Sequence, residues 1–407
     1  MTRQFDVIVF GATGFTGRLV AEYFAARYSS GELAWAMAGR SRSRLEEVRT
    51  LIGAPADLAL LTADASDPTA LAALVASTRV VITTVGPYQL HGEPLVRACA
   101  AAGTDYIDLC GEPGWMAKMI PVLEGPARAS GARIVFSCGF DSIPFDLGLV
   151  FLQNAAQERL GEPLVEVRGR VRVIKGGLSG GTLASALATI DNMGNDPELA
   201  RTMANPFALT PDFAGPAQPD SATATFDDWA NAWTAPFMMA TINTKSIHRT
   251  NALRGHPWGK DFVYDERMLT GQGKTGESRA RKTARTTRVQ NALMGFAPTR
   301  ALLRRFALPK PGQGPSKDER EKGRYEIIFT GRTKGGQQLA ATVKGDRDPG
   351  YGSTSKMVAE SAICLLREVD RSMTAGGVWT AGSAMGLTLM RRLEQHAGLS
   401  FTLHQGD

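Results

Sequence analysis

The chain is poor in the residues that hold metals or cross-links, with four cysteines and five histidines among 407 residues. Cys99, Cys110, Cys138 and Cys364 are far apart and form no Cys-x-x-Cys pair. That spacing argues against a zinc site or a disulfide framework and suits a reducing cytosol, so no metal site is expected. Long apolar runs are missing as well. A membrane span needs ~18 apolar residues, and the best stretch, 70–85, is broken by Arg79. The opening MTRQFDVIVFGATG has no apolar h-region of the secretory kind. A cytoplasmic protein is expected from these absences.

Several catalytic signatures are also absent. Tyr351 and Lys356 are five apart, one too many for the Tyr-x-x-x-Lys acid–base pair of short-chain dehydrogenases. No Gly-x-Ser-x-Gly elbow marks a serine hydrolase, and no Cys/His spacing suits zinc-assisted alcohol oxidation. Charge is nearly balanced, 46 Lys and Arg against 40 Asp and Glu, for a net +6. The excess gathers at Arg279, Arg281, Lys282, Arg285, Arg288, Arg300, Arg304 and Arg305. Without a helix-turn-helix, zinc-finger or RNP pattern, nucleic acid is not an expected partner. A solvated basic loop, an acidic protein partner and an anionic membrane surface are the readings left open.

What is present is an α/β pattern. Hydrophobic residues make up 43% of the chain and charged residues 21%, enough for substantial cores, and the length suits two domains. Phe5–Gly11 is a short apolar run of the kind buried on both faces of a parallel sheet. Gly11-Ala-Thr13-Gly14-Phe15-Thr16-Gly17 follows at once, then an amphipathic stretch from Arg18 to Tyr28. Glycines at this spacing allow a tight turn and close approach of the backbone to a pyrophosphate at a helix N-terminus. The second strand ends in Gly39-Arg40-Ser41, with no acid to accept ribose hydroxyls. A guanidinium here favours a 2′-phosphate, hence NADP(H) over NAD(H). Further strands are read at 57–63, ending near Asp64 beside the adenine, and at 79–85, 105–109 and 133–137. The expected fold is a Rossmann-type, doubly wound parallel sheet, with ligand-facing loops at Val85–Gly92, Cys110–Glu112 and Cys138–Asp146.

From about Leu147 the pattern changes. Residues 163–174 alternate as a half-buried strand, 183–193 read as a helix, and 324–331 with 337–344 read as a hairpin turning at Gly335-Gly336. This second α/β (α+β) domain should hold a mixed or antiparallel sheet, and pairing of that sheet with its copy would give a homodimer. Residues 195–323, punctuated by Pro206, Pro211, Pro216 and Pro219, read as a loop-rich insertion. Helices are expected at 353–369 and 384–396.

Several spaced blocks resemble the saccharopine dehydrogenase-like oxidoreductases. They are Gly11–Gly17, Gly86-Pro-Tyr-Gln-Leu-His-Gly92, Gly103–Glu112 and Gly139-Phe-Asp-Ser-Ile-Pro-Phe-Asp146. Gly176–Thr182, Gly350-Tyr-Gly-Ser-Thr354 and Gly376-Gly-Val-Trp-Thr380 resemble later blocks of the trans-acting enoyl reductase branch. The resemblance implies an NADP-binding domain (1–146), a substrate or dimerisation domain (147–375) and a C-terminal segment (376–407) that returns to the first. It also implies reduction of a carbon–carbon double bond in a polyketide- or lipid-type acyl chain, for lipid or glycolipid assembly.

Hydride transfer asks the protein for orientation, exclusion of water and stabilisation of developing charge. The residues placed at the cofactor are Gly11, Thr13, Gly14, Phe15, Thr16, Gly17, Gly39, Arg40, Ser41, Asp64, Gly86, Pro87, Tyr88 and Asp141. Tyr88 and His91 follow the fourth strand and are the candidates for enolate donor and acid. Packing on the nicotinamide and helix capping are their structural alternatives. Ser142, with Ser179 and Thr182 at a helix start, are candidate substrate contacts. Cys110 and Cys138 are read as pocket-lining groups. Three functions stay open: an enoyl reductase acting on an acyl substrate presented by a carrier protein, a saccharopine-type imine or amino-acid dehydrogenase, and a non-catalytic NADP-binding or membrane-associated protein.

Overall fold

Every residue of β1 (Phe5–Phe10) except Asp6 is buried, because helices cover both faces of the sheet around it. The computed structural model describes residues 3–28, 31–176, 180–193, 196–296, 298–299 and 314–404. β1 lies in the middle of a sheet with β2 (Trp35–Gly39), β3 (Ala59–Thr62), β4 (Thr78–Thr83), β5 (Asp105–Ile107), β6 (Arg133–Val135) and β13 (Gly377–Trp379). The order is β13-β6-β5-β4-β1-β2-β3, and all pairings are parallel. Strand order reverses between β1 and β4, which opens a crevice at their carboxyl ends.

The second sheet is mixed. Its order is β14 (Leu399–Leu403), β12 (Gln338–Gly345), β11 (Arg324–Thr333), β7 (Leu164–Lys175), β10 (Val263–Gly271), β9 (Ala232–Pro236) and β8 (Thr225–Asp227). β7 and β10 run parallel and the other neighbours antiparallel. The expected hairpin is β11–β12. The C-terminal segment serves both sheets, through β13 in the first and β14 in the second.

The helix Ile143–Leu160 ties the two sheets together. Its first eight residues are all buried. Gly148 lets it press on the second sheet, since a Cβ there would stand 2.5 Å from the Phe329 ring and 2.8 Å from Val343. Asp146 accepts hydrogen bonds from the Thr250 hydroxyl and the Gly382 amide, both at 2.7 Å.

At the edge of the first sheet, Arg133 is 3% exposed. Its guanidinium donates to Asp105, to the Val369 carbonyl at 2.7 Å and to the Leu365 carbonyl at 2.8 Å. It thereby fastens the helix Thr354–Arg367 to β5 and β6. Arg133→Met leaves Asp105 a buried charge with reduced compensation, and the expected cost is about 3–5 kcal/mol. The check is the midpoint of urea unfolding, which should fall clearly; an unchanged midpoint would count against the clamp.

Residues 195–323 are not the loop-rich insertion that their prolines suggest. Among the described residues they carry β8, β9, β10 and the helices Pro197–Ala204, Ala240–Leu253, Gly273–Gly295 and Lys317–Lys322. The basic region is likewise no loop as far as it is described: Arg279, Arg281, Lys282, Arg285 and Arg288 are exposed on the helix Gly273–Gly295. Arg300, Arg304 and Arg305 lie outside the described residues. No helix among the described residues is long and apolar enough to cross a membrane.

Candidate active site

The glycine loop turns directly off β1. Gly11 has φ +87°, and a Cβ there would meet Val85 at 2.7 Å and Thr84 at 2.9 Å. Gly17 is more constrained, since its Cβ would stand 2.2 Å from the Gly11 carbonyl oxygen and 2.7 Å from the Thr84 hydroxyl. The helix Phe15–Arg27 starts at Gly14 with no side-chain cap and no acid in its first turn. The N–H groups of Phe15, Thr16 and Gly17 have no intrahelical acceptors and carry the positive end of the helix dipole. This is a cradle that fits a pyrophosphate. Phe15 is held by an edge-on contact with Tyr351, ring centroids 4.7 Å apart, which brings the Gly350–Gly352 block over the loop.

At the end of β2, Ser41 caps the next helix by accepting from the Arg44 amide. The guanidinium groups of Arg40 and Arg44 are exposed and make no hydrogen bond or ion pair among the described residues. Asp64 lies close by. Its own bonds from Ser66 hold its carboxyl below the usual range, and the charges of Arg40 and His91 act the same way. His91 is exposed and is not among the residues that line the cavity described below.

Tyr88 is buried at 5% exposure. Its hydroxyl donates to the Thr83 carbonyl at 3.0 Å and accepts from the Leu109 amide at 3.1 Å. Burial pushes its pKa well above 10. Both roles of the hydroxyl are thus taken by backbone, and Trp115 packs 5.8 Å from the ring. Glu112, at the end of the expected ligand-facing loop Cys110–Glu112 but assigned no role there, is 1% exposed. It accepts from the Tyr88 and Gln89 amides at 2.8 Å each and from the Ser185 hydroxyl at 2.6 Å. It pins the Tyr88–His91 turn to the helix Gly180–Met193.

A cavity of about 410 Å³ opens where these parts meet. Thr16, Gly86, Tyr88 and Asp141 line its cofactor end, and Ile190, Met193, Phe237, Met239 and Met294 make the remainder apolar. Thr182 and Cys110 are on its wall. Ser142 is 4% exposed and its hydroxyl has no partner among the described residues, but it is not part of the lining. Ser179 lies outside the described residues. The Cys110 and Cys138 thiols are pushed well above 9 by burial, which keeps them unreactive.

Asp141 is the carboxylic acid on this wall among the described residues. Its carboxyl makes no hydrogen bond or ion pair among the described residues. It is half-buried at the cavity wall, and the protein packed around it raises its pKa from 3.8 to about 6. Next to it the chain is held tightly: the Phe140 amide donates to the Thr354 hydroxyl at 3.1 Å. Ser137, at φ 62°, is fixed by its amide bond to Asp108 at 2.8 Å.

A doubly wound sheet, a glycine cradle at its switch point and an apolar cavity beside it define a nucleotide-dependent oxidoreductase. Residues 7–135 match the saccharopine dehydrogenase NADP-binding domain. A protein named as a candidate trans-acting enoyl reductase of Mycobacterium tuberculosis (strain H37Rv) is 42% identical over 98% of this chain and 97% of its own length. A trans-acting enoyl reductase of Mycobacterium bovis (strain BCG) is 37% identical over 96% of each chain. The apo saccharopine dehydrogenase (L-Glu forming) of Saccharomyces cerevisiae shares the fold, with a TM-score of 0.53 at 15% identity over 98% of this chain and 100% of that one. The chain belongs to the saccharopine dehydrogenase-like family, in the group of the trans-acting enoyl reductases, and carries that family's NADP-binding domain.

Proposed function

We propose that the protein is an NADPH-dependent enoyl reductase that saturates the double bond of an acyl thioester presented by a carrier. The observation that carries this reading is the apolar cavity running from the glycine cradle past an unpartnered carboxyl, Asp141. Bound NADPH supplies a hydride for the electron-poor β-carbon. The chain's own residues do the rest: the Phe15–Gly17 amides hold the pyrophosphate, Tyr88 packs beside the cofactor, and the apolar wall excludes water. Asp141, in its acid form, passes its proton to the α-carbon and is recharged from solvent. We assign this step to Asp141 rather than to Tyr88, whose hydroxyl is engaged by backbone, or His91, which does not line the cavity.

Residues 1–146 then serve the nucleotide and 147–375 the substrate, with 376–407 bracing both sheets. The exposed basic helix Gly273–Gly295 reaches the cavity through Asn291 and Met294, which favours an acidic carrier protein as partner. For the amino-acid dehydrogenase alternative, the arginines of β7 are not free to meet substrate carboxylates. Arg168 and Arg170 are instead bound to Asp227, with Arg170 also on Asp265, and Arg172 is bound to Glu326.

Two measurements test the reading. Purified protein should oxidise NADPH with 2-enoyl thioesters and not with imines formed from 2-oxo acids and amines; the reverse preference would overturn it. Arg40→Ala should weaken NADPH binding by about 10–100-fold while leaving NADH binding unchanged, the worth of charge-assisted bonds to a 2′-phosphate. Equal loss for both nucleotides in a fluorescence titration would remove Arg40 from that role.

A further inference from the structure

A second cavity, of about 940 Å³, adjoins the first. The two share Met203, Phe237, Met238, Thr241, Asn291 and Met294 on their walls. Lys245, on the helix Ala240–Leu253, lines the second cavity and is 3% exposed. Its ammonium donates to the Met203 carbonyl at 2.9 Å, and no carboxylate pairs with it among the described residues. A buried ammonium with one neutral acceptor and two further N–H donors is costly to maintain. Four other buried cations here are compensated, since Arg133, Arg170, Arg267 and Arg392 face carboxylates; Arg249, like Lys245, has only carbonyl acceptors, those of Leu209 and Val378. Burial alone lowers Lys245 to about 8, so it keeps its charge at neutral pH. Arg288 lines the same cavity from the exposed face of the helix Gly273–Gly295 and is also unpaired among the described residues.

We propose that this cavity is an oxyanion subsite in which Lys245, with Arg288 at the mouth, holds an anionic oxygen group of the substrate while the double bond lies in the first cavity. The group is either the phosphate of a phosphorylated thioester arm or a carboxylate at the far end of the acyl chain. Assignment of the ligand as substrate rests on the enoyl reductase reading; the anion site itself does not.

The test is calorimetric and uses the full chain saturated with NADPH. One pair of probes is 4′-phosphopantetheine and pantetheine, and the other is a medium-chain fatty acid and its alcohol. In the parent protein one anion should bind about tenfold or more tightly than its neutral counterpart, as expected for a bond to a buried ammonium. Preference for the phosphate identifies the arm; preference for the carboxylate identifies the chain end. Lys245→Gln should abolish the preference and Lys245→Arg retain it, with Arg288→Gln weakening it, all at undiminished NADPH affinity. The proposal is overturned if neither anion outbinds its neutral counterpart in the parent, a comparison that needs no variant to fold. Retention of the preference in Lys245→Gln overturns it equally. Turnover is not read, so an inactive enzyme would count against the enoyl reductase reading and leave this result intact.

Discussion

Gly17→Val is expected to bind NADPH about 100-fold or more weakly than the parent, a loss of roughly 2.7 kcal/mol. Any side chain at this position begins with a Cβ 2.2 Å from the Gly11 carbonyl oxygen. That oxygen belongs to the turn and cannot rotate away as a side chain would. The first turn of the helix Phe15–Arg27 must therefore lift off β1, carrying with it the amides that face the pyrophosphate. Gly125 supplies the control. It lies inside the helix Pro113–Ser130, and a Cβ there meets nothing within 4 Å. Gly125→Ala should leave NADPH binding intact. Tryptophan fluorescence quenching reads both variants. Parent-like affinity in Gly17→Val would show that the loop is not the nucleotide cradle.

Asp141→Asn is expected to lower kcat by about 10²–10³-fold without a comparable loss of NADPH affinity, the usual worth of a positioned acid. The sign of its pH dependence follows from burial. The acid form is the active one, and the carboxyl ionises at about 6 rather than 3.8. In the parent, kcat/KM should thus be level below about 6 and fall about tenfold per unit above it. The Asn variant, with no proton to lose, should lack this limb. Stability moves in the same direction. A raised carboxyl supports the fold fully below 3.8 and loses that support as pH rises through about 6, so Asp141→Asn should be at least as stable as the parent at neutral pH. An unchanged kcat, or a persistent limb in the variant, would contradict the assignment.

The nucleotide half was legible because its signals are local. An apolar run, a glycine turn and an acid-free tip at Gly39-Arg40 each follow from backbone geometry or charge over a few residues. β7 and the β11–β12 hairpin were legible for a similar reason, since each has one buried face and alternates. Residues 195–323 were misread because their elements bury polar groups. β10 contains Asp265, Glu266 and Arg267, all buried. Glu266 is matched by Asn243 at 2.7 Å and Tyr264 at 2.8 Å. The helix Ala240–Leu253 likewise buries Asn243, Lys245, His248, Arg249 and Asn251. Apolar periodicity cannot reveal an element whose buried face is largely polar. The helix Pro113–Ser130 escaped notice for another reason: Pro121 and Pro126 lie inside it and read as breakers. At the site, the sequence set Tyr88 and His91 at the end of β4 but not the direction of their side chains. The Tyr88 hydroxyl is held by the Thr83 carbonyl, five residues away, and by the Leu109 amide from beyond β5.

The central claim is tested most directly by following the transferred hydrogen. A 2-enoyl thioester should be incubated with the protein and NADPH deuterated on the hydride-donating face of the nicotinamide, and the product analysed by mass spectrometry and NMR. The account expects a saturated acyl thioester with deuterium on the β-carbon and a solvent-derived proton on the α-carbon. NADPH binding without any saturated product, or deuterium delivered to the carbon of an imine instead, would contradict it.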